Sequence, residues 1–223
     1  MAGENDLDGA LPPELISLSS LSVFDIPGND IKGSLVEMPL SLAFLDVEAN
    51  RMTGDPFAAL GGDRGDTLEQ VHLSSNLFDG SIPTGIGDWT SLTELWLANT
   101  RFTGAIIPTE IGNLKNLETF FVYGAGLGGN LPSELGTMDL TEFLANNNEF
   151  SGPIPEEFWN NDRLTLLRLD ENQLTGSISS RLGELEGLTD LFLSKNNLSG
   201  SLPVTLLRLT SLGTCFPSAP FLC

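Results

Sequence analysis

The sequence predicts an α/β repeat solenoid in which each coil contributes one short parallel strand and one short helical or 3-10 return. Three observations predict it. Leucines recur with a period of about 24 residues along almost the whole chain, a glycine holds one fixed place in every period, and an asparagine holds another in most of them. Fixed periods of this length mark solenoids, whose units bury their apolar faces only by stacking on one another.

With the first leucine of L-x-x-L-x-L-x-x-N-x-L-x-G-x-I-P counted as position 0, copies begin at Leu21, Leu42, Leu68, Leu92, Leu117, Leu140, Leu164 and Leu188. A partial copy precedes them, with Asn5, Leu7, Gly9, Leu11 and Pro12 in register, and the next copy would begin at Leu212. The organisation expected is a partial N-terminal repeat over 1–20, eight repeats over 21–211 and a C-terminal cap over 212–223. No N-terminal cap is visible, so an irregular substitute or a longer parent chain is expected.

Each recurring position has a physical reading. The L-x-L alternation gives a strand in which positions +3 and +5 face inward and +4 and +6 face out. Position +12 is glycine in all nine copies, from Gly9 to Gly200, as a turn with positive φ or a close approach of coils requires. Position +8 is asparagine at Asn5, Asn29, Asn50, Asn76, Asn148, Asn172 and Asn196, a buried amide ladder that satisfies backbone groups of adjacent coils. Thr100 and Ala125 interrupt it, which predicts a locally altered turn or a bound water at Ala125. In "SIPTGIGDWTSL" the spacing of Ile82, Ile86, Trp89 and Leu92 gives the inward face of a helical return, with proline setting its start.

The pattern resembles the plant-type leucine-rich repeat of receptor-like kinase ectodomains, polygalacturonase-inhibiting proteins and similar secreted algal proteins. "LTDLFLSKNNLSGSLPVTLLRLTSL" (188–212) is nearly a consensus copy. The resemblance implies a right-handed leucine-rich-repeat superhelix with a parallel sheet on its concave face, helical or 3-10 returns on its convex face, and a second set of short strands near the G-x-I-P segment. It also implies an extracellular protein, secreted or a cell-surface ectodomain. Departures are the short copy from Leu21 to Leu42, the extra residues "GGDRGD" in the next, and the absence of the family's cysteine-bearing N-terminal cap.

Thirty acids against ten bases give a net charge of −20, a field that repels nucleic acid and anionic membranes and is read first as a solvated surface. No apolar run is long enough to span a bilayer, and "MAGENDLDGALPP" does not read as a signal peptide. His72 is the sole histidine, no nucleophile is arranged with it, and "GAGLGG" is the repeat's own turn. The chain is therefore read as non-enzymatic, monomeric, and without cofactor or resident metal.

"ETFFVYGAGLGG" (118–129) locates the expected function. Phe120 and Val122 fill inward slots, so Phe121 and Tyr123 look out. Across neighbouring coils, Trp96, Phe121, Tyr123 and Leu144 form an aromatic patch flanked by His72 and Arg168, with Phe192 further along. Such patches mark binding sites, here for a protein or peptide; the alternatives are carbohydrate, a structural or adhesive spacer without a specific ligand, or side chains that simply stack sideways and help the sheet. Asp25, Asp46 and Glu48 give the N-terminal end of the same face an acidic patch, read as solvated in preference to a weak Ca²⁺ site.

Asn197, in "NLS", is the one N-glycosylation sequon, usable in a secreted protein. Cys215 and Cys223 read as a terminal disulfide in an oxidising compartment, a reduced pair being the alternative. "RGD" at Arg64–Asp66 matches an integrin-recognition tripeptide, but three residues recur by chance.

Overall fold

The structure, a computed structural model, describes residues 5–61 and 64–213. The expected disulfide between Cys215 and Cys223 lies outside the described residues.

Eight strands form one parallel sheet in chain order: Val23–Asp25, Phe44–Asp46, Gln70–His72, Glu94–Trp96, Thr119–Phe121, Glu142–Leu144, Leu166–Arg168 and Asp190–Phe192. The register is the one the repeat dictates. Asp25, Asp46, His72, Trp96, Phe121, Leu144, Arg168 and Phe192 stand side by side, one per coil. Beneath them Leu45, Val71, Leu95, Phe120, Phe143 and Leu167 are fully buried, and burial of each such side chain is worth about 1.5–3 kcal/mol. Phe120 stacks on Phe143 with ring centroids 5.5 Å apart.

Sheet bonding continues past the strands. Leu73 N–H donates to the Trp96 carbonyl and Ser75 N–H to Ala98; Leu97 and Asn99 repeat this toward Phe121 and Tyr123. Position +6 therefore lies on the same face as +4. The next residue, +7, has positive φ in all eight coils: Gly28, Ala49, Ser75, Asn99, Gly124, Asn147, Glu171 and Lys195. Six of these carry side chains, whose left-handed backbone is disfavoured by roughly 1–2 kcal/mol per residue. Inter-coil bonds made by the amides of Ala49, Ser75, Asn99, Asn147 and Glu171 offset it in five of the six.

The return segments are 3-10 turns at Pro13–Ser17, Thr84–Asp88, Thr109–Asn113, Ser133–Thr137, Glu156–Asn160, Ser180–Glu184 and Val204–Arg208. A proline precedes most of them; before Ser180 its place is taken by Ser179, whose hydroxyl accepts from Arg181 N–H at 3.2 Å. The short coil from Leu21 has no helical turn, and the long one from Leu42 has a true α-helical turn at Pro56–Leu60, capped by Asp55. The glycines answer two demands. Those at +12 have positive φ throughout, whereas Gly136, in a return, lies so close to the next coil that a Cβ would sit 2.0 Å from the Glu157 carbonyl oxygen.

The asparagine ladder is present and explains the stacking. Asn172 is typical: its Oδ1 accepts from Phe150 N–H at 3.0 Å, and its Nδ2 donates to Ala145 O at 2.9 Å and to Leu169 and Asp170 in its own coil. Asn50, Asn76, Asn148 and Asn196 repeat this pattern. Where the ladder stops, the second layer of strands stops as well. One layer contains Asp8–Ala10, Asp30–Ser34, Arg51–Gly54 and Leu77–Phe78, the other Gly128–Asn130, Glu149–Pro153 and Gln173–Thr175. Between them lies the coil of Thr100, whose hydroxyl reaches only the Leu97 carbonyl, at 2.6 Å. The turn at Ala125 is altered on one side: Gly126 has positive φ, unlike the residue at +9 in the other coils, and the inter-coil bonds run from Gly104 N–H to Gly126 O and from Gly128 N–H to Ala105 O.

Asn172→Ala strands the buried Phe150 N–H and should lower unfolding free energy by about 1–3 kcal/mol, read from urea denaturation. Substitution at exposed Asn197, outside the ladder, should leave the midpoint within about 0.5 kcal/mol of the parent.

Candidate functional site

The outward face of the eight-stranded sheet carries the residues singled out above. It is built from positions +2, +4 and +6 of each coil, because side chains two apart on a strand share a face. Trp96, Phe121, Tyr123 and Leu144 are all half-buried there, neither covered by the protein nor fully free. The rings do not lie flat on the sheet. Trp96 stacks on His72 with centroids 3.7 Å apart and planes 10° apart, and on Phe121 at 5.3 Å and 21°. Phe44 meets the other side of His72 edge-on at 5.5 Å. The result is a continuous ridge, Phe44–His72–Trp96–Phe121, running across four strands.

His72 differs most from expectation. It is only 6% exposed, with Nε2 3.0 Å from Glu94 Oε2 and Nδ1 3.6 Å from Asp46 Oδ2. Nε2 is within hydrogen-bond distance of Glu94, Nδ1 faces Asp46, and the ring packs flat against Trp96, so the imidazole is directed at its own chain. Gln70 Nε2 donates to the second oxygen of Glu94 at 2.8 Å and fixes that carboxylate in turn. The sequence reading missed Phe44, Gln70 and Glu94. They occupy +2, which the alternation places on the same face, and that column of residues was the available signal.

At the far end Arg168 makes a two-pronged contact with Asp170, at 3.3 and 3.2 Å, and its guanidinium carbon sits 4.7 Å over the Phe192 ring. Two polar atoms on the face, Trp96 Nε1 and Asn146 Oδ1, have no hydrogen-bond partner among the described residues. At the N-terminal end, Asp46 Oδ1 accepts from Glu48 N–H at 2.9 Å. Burial raises the Glu48 carboxyl above its ordinary value, Asp46 pushes it the same way, and His72 opposes both. Among the described residues no group of three or more His, Cys, Asp or Glu side chains could hold a metal ion.

The remaining sequence signals separate. Asn197 is exposed, and its N–H donates to the Leu174 carbonyl. Arg64 is 3% exposed; its guanidinium donates to Met38 O at 2.5 Å, to Pro39 O at 2.8 Å and to Leu60 O. Burial lowers its pKa from the ordinary arginine value, with Glu37 opposing. The tripeptide is thus a clip that ties the extra loop to the preceding coil, and its arginine is not displayed.

Comparison with known proteins accords with this geometry. The family model described as Leucine Rich Repeat matches residues 67–89 and 187–209. Receptor-like protein 41 of Arabidopsis thaliana is 31% identical over 150 residues, 66% of this chain and 14% of that relative. Among solved structures, the plant peptide hormone receptor RGFR1 in complex with RGF2 aligns with a TM-score of 0.87 at 31% identity, covering 94% of this chain and 34% of that one. The PEPR1–AtPEP1 complex aligns with a TM-score of 0.88 at 32% identity, covering 93% and 29%. Stacked coils with these recurring positions define a leucine-rich-repeat solenoid. The chain belongs to the plant type of that family, and it spans about a seventh of the length of the curated relative named above.

Glu48→Gln removes a carboxylate that folding desolvates. Its folded pKa is raised, so the penalty is absent below about pH 4, where both states are protonated, and is complete above the folded value. The variant should melt higher than the parent at pH 7, with the gain vanishing as pH falls to about 4. Arg64→Ala, which removes the guanidinium from the Met38 and Leu60 carbonyls and one of two donors from the Pro39 carbonyl, should lose about 1.5–3 kcal/mol in urea denaturation. The immobilised parent protein should not support Arg-Gly-Asp-dependent cell adhesion.

Proposed function

We propose that the chain is a non-enzymatic, extracellular recognition module that binds a protein or peptide segment along the outward face of its eight-stranded sheet. The observation that carries this reading is the half-exposed ridge of Trp96 and Phe121, continued by Tyr123 and Leu144. Side chains stacked in this way keep their rotamers before a partner arrives, so little ordering entropy is lost on binding. Arg168, held by Asp170 and seated over Phe192, fixes the far end of the face.

Receptors among the structural neighbours, whose complexes contain the peptides RGF2 and AtPEP1, support a peptide as the class of partner. A sugar is less well served. Its ring needs an open aromatic face, whereas Trp96 is covered by its neighbours on both sides and Phe192 by a guanidinium. Relatives named as receptor-like proteins support a place outside the cell. Among the described residues no helix is long and apolar enough to cross a membrane. In a secreted protein the exposed Asn197 would carry a glycan, and the chain would act as a monomer.

The test is affinity capture from secreted material with the parent chain and with Phe121→Ala/Tyr123→Ala. A specific partner should bind the parent saturably and lose at least tenfold in affinity for the variant, with unchanged melting temperature. Equal capture by both proteins rejects the assignment.

A further inference from the structure

We infer that the partner segment is cationic, with a Lys or Arg lying on Asp25, Asp46 and Glu48 and an apolar anchor on the aromatic ridge. This rests on the reading of the sheet face as the binding surface and adds the chemistry of what it takes.

The charge on that face is one-sided. Positions +2, +4 and +6 hold Asp25, Asp46, Glu48, Glu94, Glu142, Asp170 and Asp190, against two basic residues, His72 and Arg168. Both of those are already answered by carboxylates of their own chain: His72 by Asp46 and Glu94, Arg168 by Asp170. Asp25, Glu48 and Glu142 make no ion pair with any described residue. An anionic or neutral apolar segment laid on this face would leave those carboxylates desolvated and unpaired. A cation relieves them, and the surrounding charge of −20 draws it in.

Geometry limits the segment further. The acids stand two to four strands from Trp96 and Phe121, and neighbouring strands are roughly 4.8 Å apart, so cation and anchor are separated by roughly 10–19 Å. An extended peptide advances about 3.3 Å per residue, which places the basic residue about three to six positions from the apolar one. Glu48 shows that the acidic end is kept against its own folding preference, since burial and Asp46 both oppose its ionised form.

The experiment selects a random ten-residue peptide library on the immobilised full chain and measures the enriched sequences as synthetic peptides. Lys or Arg should be enriched three to six positions from Leu, Phe, Tyr or Trp. Asp25→Asn/Glu48→Gln should weaken those peptides about three- to tenfold, the sum of two half-buried pairs at the upper end of the surface range. Raising salt from about 50 to about 300 mM should weaken the parent's binding in the same direction. Peptides that need Phe121 and Tyr123 but carry no basic residue, and that ignore the Asp25/Glu48 variant, overturn the cationic partner while leaving the binding face standing. Peptides indifferent to Phe121→Ala/Tyr123→Ala overturn the face itself, and failure to enrich any sequence overturns both.

Discussion

Everything in this molecule depends on neighbouring coils sharing backbone hydrogen bonds in one register. A single coil has too little apolar surface to stay folded, so its strand, its turn and its ladder amide acquire meaning only against the next coil. The asparagine at +8 enforces the register because its amide must answer two chains at once. Asn76 joins Met52 N–H and Val47 O of the preceding coil to Leu73 and Ser74 of its own. A slip by one residue would bury each of these groups unpaired. The interruption at Thr100 and Ala125 shows the same rule by its failure, since the main sheet runs through it unbroken while the second layer of strands does not.

Much of this was legible in the sequence because the repeat converts one local rule into eight constraints. Inward +3 and +5, outward +4 and the altered turn near Ala125 follow from alternation and from hydrogen-bond accounting alone. What stayed hidden depends on torsions or distant contacts. The left-handed +7 residue has no chemical signature, being alanine, serine, asparagine, glycine, glutamate or lysine by turns. The upright stacking of Trp96 is a rotamer choice fixed by His72, which is fixed in turn by two carboxylates from neighbouring strands. Burial of Arg64 is decided by three carbonyls, two of them more than twenty residues away. A tripeptide read in isolation contains none of that.

The stacking changes what the aromatic patch can offer. Rings lying flat would present their faces and a larger area; rings on edge present less but hold still. The loss of contact area is offset by preorganisation, because Trp96, stacked between His72 and Phe121, has little rotamer freedom left to surrender. Tyr123, two positions beyond the strand, extends the ridge on its polar side, where Asn146 and Asp170 follow in the same column. The face therefore grades from rigid and apolar in the middle to charged at both ends.

That gradation also accounts for the uneven distribution of ion pairs. Pairs such as Arg163 with Glu118, or Arg181 with Glu184, lie on solvent-exposed side chains away from the face and stabilise little. On the face, by contrast, every basic group is spent internally on orienting a neighbour: His72 on Trp96, Arg168 on Phe192. Two of the acids left over, Asp25 and Glu48, stand where the ridge begins, and burial together with Asp46 raises the pKa of the Glu48 carboxyl. A surface selected for solubility alone would have no reason to desolvate a carboxylate beside another carboxylate. Placed at the end of a preformed apolar ridge, that pair gives the proposed binding face a direction, with charge at one end and shape along the rest.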